Sequence, residues 1–131
     1  MANTVTLRTL IDGPKTAIIH VYLNSDGASG ELADQVVVDA SALIPVPSKV
    51  TIEEVWWDFV GFDGLLEFDA TADTPAWKLP AGSGQGHRKF YLFGGIKDNS
   101  GAGSTGDVLL TTNGFTAAGD EGTMIIKVRK D

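Results

Sequence analysis

Glu54-Val55-Trp56-Trp57-Asp58-Phe59 alternates strictly, with Val55, Trp57 and Phe59 on one side and Glu54, Trp56 and Asp58 on the other. A period of two is the spacing of a β-strand that turns one face to a core. The strand predicted here runs from Lys49 to Phe59 and points one tryptophan each way. Gly61-Phe62-Asp63-Gly64 follows, a short Gly-bearing loop that predicts a hairpin into a second strand, Leu65 to Ala70.

The same period recurs outward in both directions. Val5, Leu7, Thr9 and Ile11 alternate with Thr4, Thr6 and Arg8, which predicts a half-buried strand ending at the turn Asp12-Gly13-Pro14. Lys15 to Leu23 is apolar on both faces at Ile18, Ile19 and Val21, as in a central strand covered on both sides, and Asn24-Ser25-Asp26-Gly27 closes it. Gln35 to Asp39 reads as a short strand, with one helical turn near Ala40 to Leu43. Ile44-Pro45-Val46-Pro47 reads as an extended connector along a sheet edge, because proline cannot donate to a central ladder. Further strands are predicted at Lys89 to Phe93, Asp107 to Thr112 and Gly122 to Lys130. Nowhere do apolar residues recur at three and four for the length an independent helix needs. The expectation is an all-β fold over residues 1–131, a single β-sandwich domain of eight or nine short strands, jelly-roll-like or immunoglobulin-like.

Composition supports a packed fold. The chain has 131 residues, 43% of them hydrophobic, with 16 Gly and 5 Pro for turns; a domain of this size buries roughly two thirds of its unfolded surface. Without any Cys, disulfides, thiol nucleophiles and thiolate metal sites are excluded. The formal net charge is −7 and the excess lies in the first half, where 9 acids face 3 bases up to Leu65. The largest basic cluster is His87-Arg88-Lys89, so neither nucleic acid nor an anionic membrane surface is expected as a partner. No apolar run approaches the ~18 residues of a membrane span. The first residues already alternate as a strand, which reads as a mature start made in a cytoplasm.

Candidate chemistry is sparse. Gly101-Ala-Gly103-Ser-Thr-Gly106 fits the glycine pattern of dinucleotide sites but is followed by a strand where a phosphate-binding helix is required, so it reads as a loop and no cofactor is expected. Together with Gly82-Ser83-Gly84-Gln85-Gly86, the Gly94 to Gly106 stretch is predicted to be a surface loop, mobile for want of apolar anchors beyond Ile96. Glu67 and Asp69, with Asp73 beyond, resemble the acidic strand of jelly-roll glycoside hydrolases, whose second glutamate is missing near Thr71 or Ala72. Leu65, Glu67 and Asp69 read instead as a solvated face opposite Leu66, Phe68 and Ala70. Asp58, Asp63, Glu67, Asp69 and Asp73 offer oxygens for Ca²⁺ but match no EF-hand spacing. His20 sits mid-strand and reads as a hydrogen-bonded strand residue. His87 follows a glycine loop and reads as exposed, and no G-x-S-x-G elbow exists. Two histidines without cysteine make no structural zinc site, so no catalytic or metal residue is assigned.

Leu10-Ile-Asp-Gly-Pro14, the Ser25-Asp-Gly27 turn, Val38-Asp-Ala-Ser41, the Leu65 to Ala70 strand, Trp77-Lys-Leu79, Gly94-Gly-Ile96, Gly106-Asp-Val-Leu-Leu-Thr-Thr112 and a closing basic strand together resemble small phage virion structural proteins. The resemblance implies a non-enzymatic particle component, a capsid decoration or cement protein. Such a protein would assemble in the host cytoplasm and bind the major capsid protein and copies of itself, as a trimer, on the capsid surface. Tail or head–tail connector roles are the alternatives. The residues expected at its contacts are Val5, Leu7, Pro45, Pro47, Trp56, Tyr91, Phe93, Ile96, Lys127 and Arg129, because edges, loops and exposed aromatics are what such a domain offers. A carbohydrate-binding module, with Trp56 and Tyr91 as stacking rings, is the rival from another class.

Overall fold

A computed structural model describes residues 3–80 and 86–131. Its ten strands are β1 (Thr4–Asp12), β2 (Thr16–Asn24), β3 (Gln35–Val38), β4 (Val50–Val60), β5 (Asp63–Phe68), β6 (Thr74–Leu79), β7 (Gly86–Lys89), β8 (Ile96–Lys97), β9 (Val108–Asn113) and β10 (Glu121–Lys130). Two 3-10 turns, Ala40–Ala42 and Tyr91–Phe93, interrupt them. The strands form two antiparallel sheets, β1-β2-β10-β4-β7 with β8 also on β4, and β3-β9-β5-β6.

The chain crosses from one sheet to the other after β2, β3, β4, β6, β8 and β9. That shuttling order, with β2 and β10 adjacent at the centre of one sheet and β5 and β9 adjacent in the other, is a jelly roll. Of the two sandwich types expected, this is the one that forms.

The inner faces carry the predicted alternation. Ala17, Ile19, Val21 and Leu23 of β2, Val55, Trp57 and Phe59 of β4, Leu66 and Phe68 of β5, and Met124, Ile126 and Val128 of β10 are all buried in one core. Burial of such side chains contributes about 1.5–3 kcal/mol each, which a Cys-free chain must rely on. The aromatic centre of this core is Phe62. It stacks on Phe59 at 4.6 Å with 20° between planes and meets Phe115 edge-on at 4.6 Å.

Phe62 also explains a correction. β4 and β5 were expected to pair as a hairpin, yet they lie in different sheets, β5 pairing with β6 and β9. A hairpin would leave Phe62 at a solvated tip. Instead Gly61, at φ +85°, turns the chain inward so that Phe62 is only 2% exposed.

Other differences follow equally from tertiary context. β2 is buried on one face only; Ile18, His20 and Tyr22 are half-exposed on the outer side. β1 is not half-buried but an exposed edge strand, along which only Val5 packs on the core. Lys89 to Phe93 is not one strand, because it leaves β4 at Phe90 and coils into the 91–93 turn. β6 was not predicted, since Pro75 and the spacing of Ala76 and Trp77 hide its alternation. The Gly94–Gly106 loop is tied down by polar contacts that an apolar count overlooks. Asp98 is buried and accepts from the Ser100 amide and hydroxyl, while the Thr71 amide donates to Ala102 and the Thr105 amide to Asp69. The Gly82–Gln85 part of the other glycine stretch lies outside the described residues.

Carboxylates also pin the turns. Asp26 accepts from the Ser29 hydroxyl and from the amides of Ser29 and Ala28, which lowers its pKa to about 2. Burial raises the Glu31 pKa, but bonds from the Thr112 hydroxyl and the Phe115 and Gly114 amides outweigh it and hold it below the usual range.

Two outcomes are expected. Phe62→Ala should lower unfolding free energy by about 3–5 kcal/mol in urea titration, the range for emptying a packed aromatic site. A carboxylate with depressed folded pKa stabilises above its unfolded value, near 4, and loses that contribution as pH falls through the folded value. Stability should therefore decline between pH of about 4 and 2, and Asp26→Asn should flatten that decline in thermal melts followed across this range.

Candidate functional site

The interior is filled by the core, which leaves the outer face of the six-stranded sheet as the broad surface open to a ligand. Its register sets side chains in rows across the strands. Arg8, His20, Ile125, Trp56 and His87 form one row, and Ile11, Ile18, Lys127, Glu54 and Lys89 form the next toward the chain's C-terminal end. On the other side come Thr6, Tyr22, Thr123 and Asp58, then Thr4, Asn24, Glu121 and Val60. Successive rows along one face lie two residues apart, or about 7 Å.

Trp56 is the centre of this face. Its indole lies flat on the His87 ring, with centroids 4.9 Å apart and 10° between planes. His87 Nε2 is 2.6 Å from Glu54 Oε2, and Glu54 is buried. The expected exposed histidine is thus half-buried and locked between a carboxylate and a tryptophan. The Trp56 N–H has no hydrogen-bond partner among the described residues.

Three overlapping depressions cross the face. One of about 290 Å³ is lined by Leu10, Ile18, Trp56 and Ile125. The middle one, about 100 Å³, shares Trp56 and Ile125 and adds His20, Thr123 and Asp58. The last, about 240 Å³, shares Thr123 and Asp58 and adds Tyr22, Val60 and Glu121. Together they form a shallow trough, apolar at the β1 end and carboxylate-bearing at the other. His20 is hydrogen-bonded as expected, with Nε2 2.7 Å from the Thr123 hydroxyl, and the Tyr22 hydroxyl donates to Glu121 at 3.1 Å. The Glu121 bond raises the Tyr22 pKa above its ordinary value.

The residues expected at contacts divide into outward and inward groups. Leu7, Pro45, Tyr91 and Phe93 are exposed, and Trp56 is half-exposed. Lys127 reaches over the Tyr91 ring, its Nζ 5.9 Å from the centroid. Pro47 is corrected, being buried, whereas Val5 and Ile96 pack against the core with part of each side chain still exposed. The Pro45 connector lies at the sheet's end, where the Ile44 amide donates to Asp12 and Lys130 Nζ to the Ile44 carbonyl. Arg129 is held by Glu53 at 3.6 Å and Asp131 at 3.4 Å. Leu10, Ile18 and Ile125 were missed, because period two says that a strand has two faces but not which one another sheet covers.

On the opposite sheet, Asp34, Glu67 and Asp73 bring carboxylate oxygens within 4.8 Å of one another. Burial and the neighbouring Asp73 raise the Asp34 pKa. Glu67 and Asp73 belong to the carboxylates expected to gather; Asp34 was overlooked, 33 residues before Glu67 in sequence and joined to it only through β9. Asp58 lies on the trough instead, and Asp63 sits 4.0 Å from Lys78. Thr111 donates to Glu67 and Thr105 to Asp69, both at 2.8 Å, so the suspected acidic pair is engaged with strand and loop hydroxyls.

No family model and no curated protein matches this chain. Among solved structures it is similar to a cupin superfamily protein from Desulfitobacterium hafniense (9% identity, TM-score 0.39, covering 100% of this chain and 82% of that one) and to a cupin domain from Bordetella pertussis (10%, 0.39, 100% and 97%). It is also similar to a mutant of a family 29 carbohydrate binding module (6%, 0.42, 96% and 92%). Likenesses at these scores and identities carry nothing about function.

Proposed function

We propose that this chain is a non-enzymatic structural protein of a bacteriophage particle, a decoration or cement protein that binds the outer capsid lattice. The sequence resemblance suggests the particle. The observation that carries a docking role is the free edge at β1, nine residues long, with Leu7, Leu10 and Ile11 exposed at 41–52%. Beside it, Leu7, Ile19, Val37 and Leu43 line a groove of about 250 Å³ between the two sheets. A long apolar edge left open invites strand pairing, and natural sheets usually blunt it. An edge and an adjoining slot form a seat for a strand or terminal arm of a lattice protein, with main-chain bonds for affinity and the slot for a side chain. Copies of the chain would gather as trimers around such sites.

Mass spectrometry of purified particles should find the chain in a copy number comparable to the major capsid protein. Absence from particles overturns the proposal, and a far smaller number moves the role to tail or connector. In reassembly with undecorated capsids, Leu7→Glu should abolish attachment while its melting temperature stays near wild type, since an exposed change costs little stability. Light scattering of the free protein should give the mass of a trimer.

A further inference from the structure

We propose that the trough on the outer face of the six-stranded sheet binds a short, neutral oligosaccharide, with Trp56 as its stacking platform. This inference is independent of the particle role.

Four observations on this face select that ligand. First, the platform is held before any ligand arrives. His87 covers one side of the indole and is itself fixed by Glu54, so Trp56 loses little freedom on binding. An aromatic face suits the apolar C–H face of a sugar ring. Second, polar groups sit where ring hydroxyls need them. His20, Thr123 and the exposed Asp58 carboxylate border the central depression, and Tyr22 with Glu121 borders the next. A few placed polar groups around an apolar floor are the general form of a small-molecule site.

Third, the backbone beneath offers nothing to a peptide. β10 is paired with β2 and β4, and β4 with β10 and β7, so main-chain donors and acceptors in the floor are used in ladders. Strand addition works at edges, not here. Fourth, charge narrows the occupants. Asp58 and Glu121 close one end of the trough on a chain of net charge −7 and repel anionic ligands there, while Arg8, in the Trp56 row, and Lys127, in the next, stand toward the apolar end. Carboxylates accept readily from neutral hydroxyls, so a neutral glycan is matched. The trough extends along β10 from Ile125 to Glu121, about 14 Å at strand rise, enough for more than one ring.

The test is titration of the whole chain with neutral oligosaccharides, gluco-, manno- and galacto-configured, beside sialylated and uronic-acid oligosaccharides, followed by calorimetry and tryptophan fluorescence. At least one neutral series should bind and quench fluorescence, with anionic sugars at least about tenfold weaker, a 1.4 kcal/mol difference. Trp56→Ala should weaken binding by about tenfold or more with its melting temperature reported alongside. Because that variant removes a half-buried ring, Asp58→Asn provides a second reading; it leaves packing intact and should weaken binding severalfold. No binding of any neutral series at millimolar concentration overturns the proposal. So does binding unchanged in both variants, preference for the anionic sugars, or a Trp56-dependent dimer in light scattering.

Discussion

The contact on which the rest depends is the Phe59–Phe62–Phe115 stack. Phe59 comes from the end of β4, Phe115 from the β9–β10 connection, and Phe62 from the crossing between the sheets, so one aromatic cluster ties both sheets where the chain changes layer. Close packing at this point leaves no room even for a small side chain at Gly122 of β10. A Cβ there would lie 2.5 Å from Phe59 Cδ1. A sandwich interior filled to this density cannot also be a ligand chamber. Binding must then take place on outer faces, edges and loops.

Much of this was legible in the chain. Val55, Trp57 and Phe59 announce a buried face by alternation alone, as do Met124, Ile126 and Val128 of β10, whereas β9 shows as a short apolar and β-branched run. The helical turn after Asp39 follows from a local side-chain bond, Asp39 accepting from the Ser41 amide, which a short sequence encodes fully. Partnership between strands was not legible. Phe62 sits in a glycine-flanked tetrad that looks like a hairpin turn, and only the existence of Phe115, 53 residues later, decides that it goes inward. The exposure of Ile18 and of Leu10 likewise depends on which side the second sheet covers.

The candidate site was half legible for the same reason. Trp56 is the one outward aromatic in a strand whose other large residues point inward, and sequence identifies it. Its companions are cross-strand neighbours: Ile125 lies 69 positions away and His20 lies 36 away, joined to it only by register. His87 shows how context changes a reading. Following glycines it looks exposed, yet pairing with β4 sets it beside Glu54 and over Trp56.

The two sheets treat their edges differently, and the contrast bears on where partners approach. β6, the edge of the four-stranded sheet, carries Pro75, the charged Lys78 and a register shift, three devices that discourage further pairing. The other outer strands are short, β3 and β7 with four residues each and β8 with two, and β7 ends in Arg88 and Lys89. β1 has nine residues, no proline and no lysine; its one irregularity is the shift between Thr9 and Ile11. That bulge sets Leu10 and Ile11 together opposite the outward Ile18, with Leu10 lining the outer-face trough, while Leu7, before it, lines the slot between the sheets. The least protected edge therefore supplies an apolar side chain to each of two surfaces. A strand with that arrangement would be an aggregation hazard if it served only to close a fold, whereas a partner seated along it would cover the exposed leucines and satisfy the open backbone at once.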